Sequence, residues 1–341
     1  MIDLKDLEYG ELCDFLTGLG EAKFRAKQIF SWLSKGVVSF DEMTDISKEL
    51  REKLEKSAHI SRLEIEKKLV SKIDKTTKYL FCLEDGNCIE SVVMYYKHGV
   101  TICVSSQIGC RMGCRFCAST IGGRVRNLTS GEILNQIIFA EKDLGERISN
   151  IVIMGIGEPL DNFSNVIKFL HNANNPNGLN IGYRHISLST CGVVPKIYEL
   201  AEQNLPITLS ISLHAPDDSI RDSIMPINHK YKIEELIKAC KEYLKRTKRR
   251  ISFEYALISG VNDTAENADE LSRLLSGMLC HVNIIPVNSI KEREYVSGDK
   301  ENIRKFCERL LKNGINATVR RELGRDINAS CGQLRRNSTK Q

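Results

Sequence analysis

The sequence predicts an α/β protein: a partial (β/α)6 barrel with a small N-terminal helical domain, a short β extension and a C-terminal tail that carries a reactive cysteine. The barrel is indicated by six apolar, strand-like runs that alternate with amphipathic helical segments. Such alternation implies parallel strands joined by right-handed crossovers. Polar residues or glycines follow several runs, where barrel enzymes place catalytic groups. Six units form a partial barrel, since a closed one has eight strands.

Changes in residue pattern divide the chain into four parts. Residues 1–60 have apolar residues at helical spacing, as in FRAKQIFSWLSKG, and predict a helical accessory domain. Residues 61–95 contain short alternating runs around the turn signal Glu84-Asp85-Gly86, which favours antiparallel strands. Residues 96–326 hold the barrel, and residues 327–341 form the tail. The predicted barrel strands are VTICVSS, NIVIMGIGEP, RHISLST, ITLSISLH, RISFEYALI and HVNIIPV.

The composition favours a large cytoplasmic protein with no membrane association. Of the 341 residues, 42% are hydrophobic, which is enough for a sizeable core. No stretch approaches the roughly 20 apolar residues of a membrane span, and the acidic N-terminus does not have the order of a signal peptide. The twelve cysteines are therefore interpreted as ligands, catalytic groups or core residues rather than as a disulfide framework. Five that sit singly in apolar surroundings are expected in the core: Cys13, Cys82, Cys240, Cys280 and Cys307.

Basic residues are concentrated in two places. The net charge is only +5, but KEYLKRTKRR at 241–250 carries six basic residues against one acid, and the end of the chain from Arg320 carries six against two. Such clusters fit a surface that contacts RNA phosphates. A solvated helix face is the alternative interpretation of either cluster.

The most informative motif is C-x-x-x-C-x-x-C, formed by Cys110, Cys114 and Cys117. Three thiolates on one loop can hold three irons of a 4Fe-4S cluster and leave the fourth iron open for chemistry. A structural zinc site is the alternative, but zinc needs a fourth ligand, and the nearest cysteine is Cys103, seven residues upstream. The spacing, with Phe116 directly before the last cysteine, resembles that of radical S-adenosylmethionine (SAM) enzymes.

Three further segments place polar groups at the ends of predicted strands. GIGEP at 155–159 combines glycines, which allow close approach of a ligand, with a carboxylate that can accept a hydrogen bond from an ammonium group. STCG at 189–192 and SLHA at 212–215 offer hydroxyl and imidazole groups, and Asn288 follows the sixth strand. An ordinary turn at GIGEP and a core position for His214 are the structural alternatives.

Cys331 lies in a small, polar, arginine-rich segment, RRELGRDINASCGQLRR, rather than in an apolar run. Flexible and electropositive surroundings favour a reactive thiolate. Cys103, on the first barrel strand just before the cysteine motif, could meet it in space. A buried core position explains Cys103 equally well.

Together these segments resemble the RlmN/Cfr family of radical SAM RNA methyltransferases over nearly the whole chain. RFCAST and the RELGR that precedes DINASCGQL are closer to the RlmN branch of that family than to the Cfr branch. The resemblance implies a radical SAM barrel and an RNA-binding role for the N-terminal domain. The matching segments are CVSSQIGCRMGCRFCAST, MGIGEPLDN, SLHAPDDSIRDSIMPIN, EYALISGVND and DINASCGQL.

The resemblance also implies a role for individual residues. Cys331 is implied to become methylated, Cys103 to resolve the resulting intermediate, and Glu90 to accept a proton. The implied ligands of one 4Fe-4S cluster are Cys110, Cys114 and Cys117. The implied contacts of SAM are Gly157, Glu158, Ser189, Ser212, Leu213, His214 and Asn288. One departure from the family pattern is Cys191, where a serine is more usual.

The implied activity is methylation of adenine C2 in 23S rRNA and in a tRNA anticodon loop, with two SAM molecules used per turnover. A reductant such as flavodoxin or ferredoxin is the implied electron donor, and a monomer is expected. Methylation at C8 of the same rRNA adenosine, the Cfr reaction, is the nearest alternative, because it uses the same cysteines. A non-catalytic iron-sulfur or zinc RNA-binding protein is the alternative from another class.

Overall fold

The computed structural model describes residues 1–335 and 337–338. Its N-terminal part is helical, as the sequence predicts, and has its own apolar core around Leu12, Ile29 and Leu50. Ser47 caps the third helix by accepting a hydrogen bond from the Leu50 N–H. Two short strands pair in parallel beside these helices. The elements are β1 (Ile2–Asp3), α1 (Tyr9–Gly18), α2 (Phe24–Ser34), α3 (Lys48–Ser57) and β2 (Ala58–His59).

Three antiparallel strands follow, which confirms the pattern predicted for this part of the chain: β3 (Glu64–Val70), β4 (Thr77–Cys82) and β5 (Asn87–Tyr96). β5 also pairs antiparallel with the first barrel strand, β6 (Gly99–Cys103), so this meander continues the barrel sheet.

The expectation that Cys82 sits singly in the core is wrong. Cys82 and Cys88 lie opposite each other on β4 and β5, with Cα atoms 4.3 Å apart, and are joined by a disulfide. The tight turn between β4 and β5 places the two cysteines opposite each other. The apolar residues around Cys82 in the sequence give no indication of this pairing. Cys240 and Cys280 are buried as expected, whereas Cys13 and Cys307 are half-buried.

The six predicted barrel strands are confirmed, and they run in parallel in the order of the chain. A seventh parallel strand, only three residues long, was not predicted. A short antiparallel ribbon of β7 (Gln107–Gly109) and β8 (Arg124–Asn127) follows β6. The remaining strands are β9 (Asn150–Ile153), β10 (Ile186–Thr190), β11 (Thr208–Ser212), β12 (Ile251–Leu257), β13 (Cys280–Pro286) and β14 (Ala317–Val319).

The sheet order is β14-β13-β12-β11-β10-β9-β6-β5-β4-β3, and within the described residues its two edges do not pair with each other. This is the partial barrel that the sequence predicts. Near the end of the chain, β15 (Asn337–Ser338) pairs with β5. Arg336 and residues 339–341 of the predicted tail lie outside the described residues.

Helices cover the outer face of the barrel sheet. Along each strand the apolar residues, such as Leu209 and Ile211, pack outward in the main core, while Ser212 faces the lumen. Within the described residues, no helix is both long enough and apolar enough to cross a membrane. The helices are α4 (Ser130–Leu144), α5 (Phe163–Asn174), α6 (Val194–Glu202), α7 (Asp218–Ile224), α8 (Ile233–Thr247), α9 (Ala265–Leu275) and α10 (Lys300–Lys312).

The basic cluster 241–250 occupies the end of α8 and the turn into β12. Because a crossover helix ends where the next parallel strand begins, this cluster lies at the end of the barrel opposite the carboxyl ends of the strands. The cluster is therefore remote from the predicted site. An RNA contact made by this cluster would therefore lie away from the predicted site.

A buried lysine joins the N-terminal domain to the barrel. The Lys5 ammonium donates to the Ser61 carbonyl at 2.9 Å and to Asn135 Oδ1 on α4 at 2.8 Å. Asp6 also accepts from the Gly131 N–H in the first turn of α4, at 2.7 Å. Burial, which outweighs the attraction of Asp3, lowers the pKa of Lys5 to about 8.

The free energy of unfolding should depend on pH because of the shifted pKa of Lys5. Because the folded pKa of Lys5 lies below its value of 10.5 in an unfolded chain, the folded protein releases the proton first as pH rises. The parent should therefore gain stability relative to Lys5→Met between about pH 8 and pH 10, by on the order of 1–3 kcal/mol. Urea unfolding at several pH values measures this difference. Lys27→Met, which changes an exposed lysine, should follow the parent. A parent-to-Lys5→Met difference that stays constant with pH would contradict the role of Lys5.

Candidate functional site

A cavity open to solvent lies at the carboxyl ends of the barrel strands. It brings together all but three of the predicted site residues, and the exceptions are Glu90, Cys103 and Leu213. The predicted residues that line it are Cys110, Cys114, Cys117, Gly157, Glu158, Ser189, Ser212, His214, Asn288 and Cys331.

The cysteine motif forms a loop directly after β7. The Cys117 N–H donates to the Cys114 carbonyl at 3.2 Å, and Thr120 Oγ1 donates to the Cys117 carbonyl at 2.9 Å. Gly109, with φ +73°, starts the loop where a Cβ would lie 2.0 Å from the Gly123 oxygen. A glycine is therefore needed to let the ribbon and the loop approach each other.

The three thiols line one cavity. In the described part of the chain, no group of three or more His, Cys, Asp or Glu side chains is placed to hold a single metal ion. A 4Fe-4S cluster binds each thiolate to a different iron and can leave its fourth iron open. Three cysteines on one loop fit the three protein ligands of such a cluster.

Thiolate charge in this loop is costly without a bound cation. Burial raises the pKa of Cys110 to about 12, with neighbouring thiols and carboxylates adding to the effect. Burial also raises the pKa of Cys114 well above its usual value, and the charges of Cys117 and Cys110 add to this effect. Iron would supply the positive charge that three thiolates at this position require.

GIGEP forms a sharp turn after β9 that aims a carboxylate at the neighbouring strand. Gly157 has φ +110°, and a Cβ there would lie 2.7 Å from Gln107 Cβ. Glu158 Oε1 accepts from the Leu160 N–H at 3.0 Å, and Oε2 accepts from the Cys191 N–H at 2.7 Å. Burial raises the pKa of Glu158. Its carboxylate is thus fixed at the cavity wall with further lone pairs available for an ammonium group.

The ends of β10 and β11 contribute hydroxyl and imidazole groups. Ser189 Oγ and Ser212 Oγ lie 3.5 Å apart. His214 Nδ1 accepts from the Ala256 N–H at 2.8 Å, which assigns the ring proton to Nε2. Burial lowers the pKa of His214 to about 3, so its ring is neutral, and it packs edge-on against Phe116. His214 is thus a buried histidine that also lines the cavity.

Leu213 is placed differently from the other residues implied to contact SAM. Its side chain is fully buried in the main core outside the lumen. Its N–H donates to the Glu254 carbonyl at 3.1 Å, and its own carbonyl accepts from Arg221 Nε at 3.0 Å. If Leu213 contacts a ligand, it must therefore do so through backbone atoms rather than through its side chain.

The tail is seated between the cysteine loop and the loop that follows β13. The Gly332 carbonyl accepts from the Ala118 N–H at 2.8 Å, and the Cys331 carbonyl accepts from Asn288 Nδ2 at 3.0 Å. Ser119 Oγ donates to the Leu334 carbonyl at 2.9 Å. These contacts hold the backbone of Cys331 at the cavity wall.

Cys103 and Cys331 both line a second, smaller cavity beside the first. Met154, Asn288, Arg320 and Cys331 line both cavities. Burial raises the pKa of Cys103 to about 12, and the charge of nearby Cys331 adds to the effect. The two outlying cysteines thus line one cavity, while Cys103 is also buried in an apolar cluster, so both positions that the sequence left open for it apply.

Glu90 lies outside both cavities and anchors the tail. One oxygen is 3.1 Å from the Lys78 ammonium, and the other accepts from the Arg335 N–H at 2.8 Å. The side chain is buried on β5. Glu90 is thus close to the tail that carries Cys331, but it is held in an ion pair.

Sequence reasoning missed two charged residues in the lumen. Arg320 lines both cavities, and the nearby Cys331 thiol is the main cause that raises the pKa of Arg320. Glu254 accepts from Ser252 Oγ at 2.9 Å and from Asn283 Nδ2 at 2.7 Å. The sequence does contain a sign of Glu254, because a glutamate is unusual inside an apolar run such as RISFEYALI. For Arg320, the sequence shows only that it belongs to a basic segment near the end of the chain.

The turn at Gly157 should tolerate a side chain poorly. An alanine there meets both an unfavourable φ and the Gln107 contact, whereas Gly260, with φ +70°, has nothing within 4 Å of an added Cβ. Gly260→Ala should cost about 1 kcal/mol from backbone strain alone. Gly157→Ala should cost about 1–3 kcal/mol more because of the collision. Urea unfolding of both variants checks the difference, and equal costs would show that the Gln107 contact relaxes freely.

Two family models match the chain, one in each main part. Residues 2–60 match the ribosomal RNA large subunit methyltransferase N-terminal domain, and residues 104–275 match the radical SAM superfamily. The first match covers the helical domain. The second begins one residue after β6 and ends with α9, so it includes the cysteine loop and the strand ends that form the cavity.

Similar proteins are found over nearly the full length. A probable dual-specificity RNA methyltransferase RlmN from Clostridium novyi (strain NT) is 58% identical, covering 99% of this chain and 98% of that protein. The protein of that name from Clostridioides difficile (strain 630) is 56% identical, with 98% of each chain covered.

A solved structure shares the whole fold. The crystal structure of a radical SAM methyltransferase from Sphaerobacter thermophilus superposes with a TM-score of 0.93 and 42% identity, covering 98% of this chain and 99% of that one. Its match includes the helical domain, the meander and the barrel together. With relatives this similar from end to end, the chain belongs to the RlmN family of radical SAM RNA methyltransferases.

Proposed function

We propose that this protein methylates C2 of an adenosine in the peptidyl transferase centre of 23S rRNA and an adenosine in the tRNA anticodon loop, through a methylated Cys331. The observation that carries the proposal is the position of Cys331. It lines one cavity with Cys110, Cys114 and Cys117, and a second cavity with Cys103. A cysteine that is to receive a methyl group, pass it on and then form a disulfide needs both sets of neighbours.

The names of the relatives support both RNA substrates, since they describe dual-specificity RNA methyltransferases. The match of residues 2–60 to an rRNA methyltransferase domain supports a role of the helical domain in RNA binding. A reductant such as flavodoxin or ferredoxin, a monomeric state and a cytoplasmic location belong to the same proposal.

The first cavity is proposed to hold the cofactors. Cys110, Cys114 and Cys117 would ligate the 4Fe-4S cluster, and the carboxylate of Glu158 would accept from the SAM ammonium group. The polar groups around the rest of the wall would contact the other parts of SAM: Gly157, Ser189, Ser212, His214, Asn288 and the backbone of Leu213. When bound, the cluster and a second SAM supply the radical that activates the methyl carbon.

In the first step, the Cys331 thiolate attacks the methyl carbon of one SAM. A bond forms between Cys331 Sγ and carbon, the bond between that carbon and the SAM sulfur breaks, and S-adenosylhomocysteine leaves. Arg320 lines the same two cavities as Cys331, so its guanidinium lies on the side of the lumen where this step would take place. Asn288 holds the Cys331 carbonyl while lining the same cavity as the proposed SAM contacts.

In the second step, the radical derived from the second SAM would take a hydrogen atom from the methyl group on Cys331 and leave as 5′-deoxyadenosine, and the resulting methylene radical would add to C2 of adenine. Loss of the C2 proton to a base and of one electron to the oxidised cluster would leave RNA joined to the protein through Cys331. Cys103 Sγ, on losing its proton, would then attack Cys331 Sγ and break its bond to carbon; the carbon takes up a proton to become the methyl group of the released RNA, and the two cysteines form a disulfide. That disulfide is later reduced by an external thiol.

Glu90 is proposed as the acceptor of the C2 proton. Its contact with the Arg335 N–H keeps it beside the tail. The ion pair with Lys78 would have to open for the carboxylate to reach the base, and Lys78 also donates to the Asn328 carbonyl in the tail. Lys78 and Glu90 lie on the neighbouring strands β4 and β5, so a movement of the Lys78 side chain alone would open the ion pair while the tail backbone stays in place.

Two other functions compete with this proposal. Methylation at C8 uses the same cysteines, and the geometry of the two cavities suits either position on the ring. A non-catalytic iron-sulfur or zinc protein is less well supported, because a passive module needs neither the glycine turn at GIGEP nor a cysteine seated between two cavities.

The chemical identity of the product tests the function. Anaerobically reconstituted protein, incubated with SAM, a reductant and 23S rRNA, should give 2-methyladenosine by mass spectrometry of digested nucleosides. Cys331→Ala should reduce methylation on the order of 10³-fold or more, because the covalent route is lost, while retaining iron and sulfide. An 8-methyladenosine product would reject C2 methylation. Bound zinc without iron, or normal turnover by Cys331→Ala, would reject the cysteine-based mechanism.

The resolving role of Cys103 predicts a trapped intermediate. In Cys103→Ala, transfer of the carbon to RNA should proceed but release should fail, so RNA should remain bound to the protein under denaturing conditions. Gel analysis with labelled RNA detects this adduct, and nuclease treatment should leave a nucleotide on the Cys331 peptide. Cys240→Ala, which changes a buried cysteine outside both cavities, is the matched control and should release its product. Clean release by Cys103→Ala would remove Cys103 from this role.

A further inference from the structure

A fully buried arginine holds the strand ends that form the site. Arg221, on α7, has 0% of its surface exposed. Its Nε donates to the Leu213 carbonyl at 3.0 Å, and its Nη2 donates to the carbonyls of Cys191 at 2.7 Å and Ser212 at 3.1 Å. Its Nη1 donates to Asn228 Oδ1 at 2.9 Å. One guanidinium thus ties together the ends of β10 and β11.

All four acceptors of Arg221 are neutral. Among the described residues, no carboxylate oxygen lies within ion-pair distance of its guanidinium. The carboxylates of Asp218 and Asp222 lie one residue removed from the guanidinium, since both accept from Asn228 Nδ2, at 2.9 Å and 2.8 Å. Carbonyl acceptors and these more distant carboxylates offset only part of the cost of a buried charge, and a negatively charged group on the other side of Arg221 would offset more of it.

The cysteine loop is the neighbour that can supply this charge. The Arg115 N–H, between Cys114 and Cys117, donates to the Ile224 carbonyl at the end of α7, at 2.9 Å. Cys191, whose carbonyl accepts from Arg221, lines the same cavity as the cluster cysteines. Cys191 and Ile224 belong to one apolar cluster against which Cys114 packs. Arg221 thus lies outside the cavity, next to the residues that form the cavity wall beside the proposed cluster.

We propose that Arg221 is a positioning residue whose buried positive charge favours the reduced state of the cluster. A 4Fe-4S core with two positive charges and three thiolates carries one net negative charge, and reduction by one electron adds a second. Since the net charge and surroundings of a cluster set its potential, a fixed cation behind Cys114 and Cys191 makes electron uptake easier. This inference depends on the proposed function only through the presence of the cluster.

A purely structural arginine would have different consequences. Its loss would loosen the ends of β10 and β11 and weaken SAM binding, but the charge itself would not matter to the cluster. Arg221→Lys keeps the charge and loses most of the hydrogen bonds, whereas Arg221→Met loses both. Comparing these two variants separates the two roles.

The experiment is a redox titration of the reconstituted cluster in the absence of SAM, in which electron paramagnetic resonance measures the reduced cluster. In Arg221→Met, the equilibrium constant for one-electron reduction should fall at least tenfold, which corresponds to a midpoint potential lower by about 59 mV. Arg221→Lys should recover most of this change. Arg115→Met removes an exposed charge from the cysteine loop, and solvent screening should keep its effect much smaller.

Several results would overturn the proposal. An unchanged potential in Arg221→Met, with the parental iron content, rejects a role for the charge in reduction. Equal, lowered potentials in Arg221→Lys and Arg221→Met assign the effect to hydrogen bonding and reject a role for the charge. If the titration is repeated with SAM and the potential changes only then, the effect belongs to SAM binding and the proposal is rejected. If Arg221→Met fails to fold, Arg221→Gln, which removes the charge but keeps hydrogen-bond donors, takes its place: a potential lowered to the same extent supports the role of the charge, and a parental potential rejects it. A parent chain that assembles no iron-sulfur cluster rejects this inference and the proposed function together.

Discussion

The burial of thiolate charge is the constraint on which the rest of this structure depends. Six cysteines line the two neighbouring cavities of the barrel, where burial raises the pKa of Cys103 and Cys110 to about 12. A thiolate in such surroundings needs positive charge close by. The fold places two arginines there, Arg320 in the lumen and Arg221 behind its wall, and neither is neutralised by a carboxylate within ion-pair distance in the described part of the chain.

Backbone conformations at the strand ends make this arrangement possible. Gly157 at φ +110° and His214 at φ +58° turn the chain sharply just where β9 and β11 end. The turn at Gly157 brings Glu158 to the N–H of Cys191 on the neighbouring strand, and the turn at His214 directs its Nδ1 to the Ala256 N–H. A non-glycine residue at positive φ is strained, so the contacts of His214 must hold it there. Polar groups are thereby fixed before any ligand arrives.

Local patterns in the sequence were enough to predict the parts of the fold that depend on local order. Six barrel strands and the cysteine loop follow from periodicity and spacing. Contacts between distant segments could not be predicted in this way: β14 is too short to show a pattern, Cys82 and Cys88 pair through a turn, and Arg221 reaches three carbonyls from two strands. The basic cluster 241–250 shows the same limit, because its composition suggested an RNA contact but only the topology places it at the far end of the barrel.

The way the tail is attached bears on how one cysteine could act in successive steps. Its contacts with the rest of the protein are made largely through the backbone: the carbonyls of Cys331, Gly332 and Leu334 and the N–H of Arg335. These contacts fix the position of the Cys331 backbone without engaging its thiol. Because Cys331 lines both cavities, rotation about its Cα–Cβ bond is the movement that we propose directs the sulfur toward one or the other. In the proposed reaction, the same sulfur can therefore meet SAM in the first cavity and Cys103 in the second while the tail backbone stays in place.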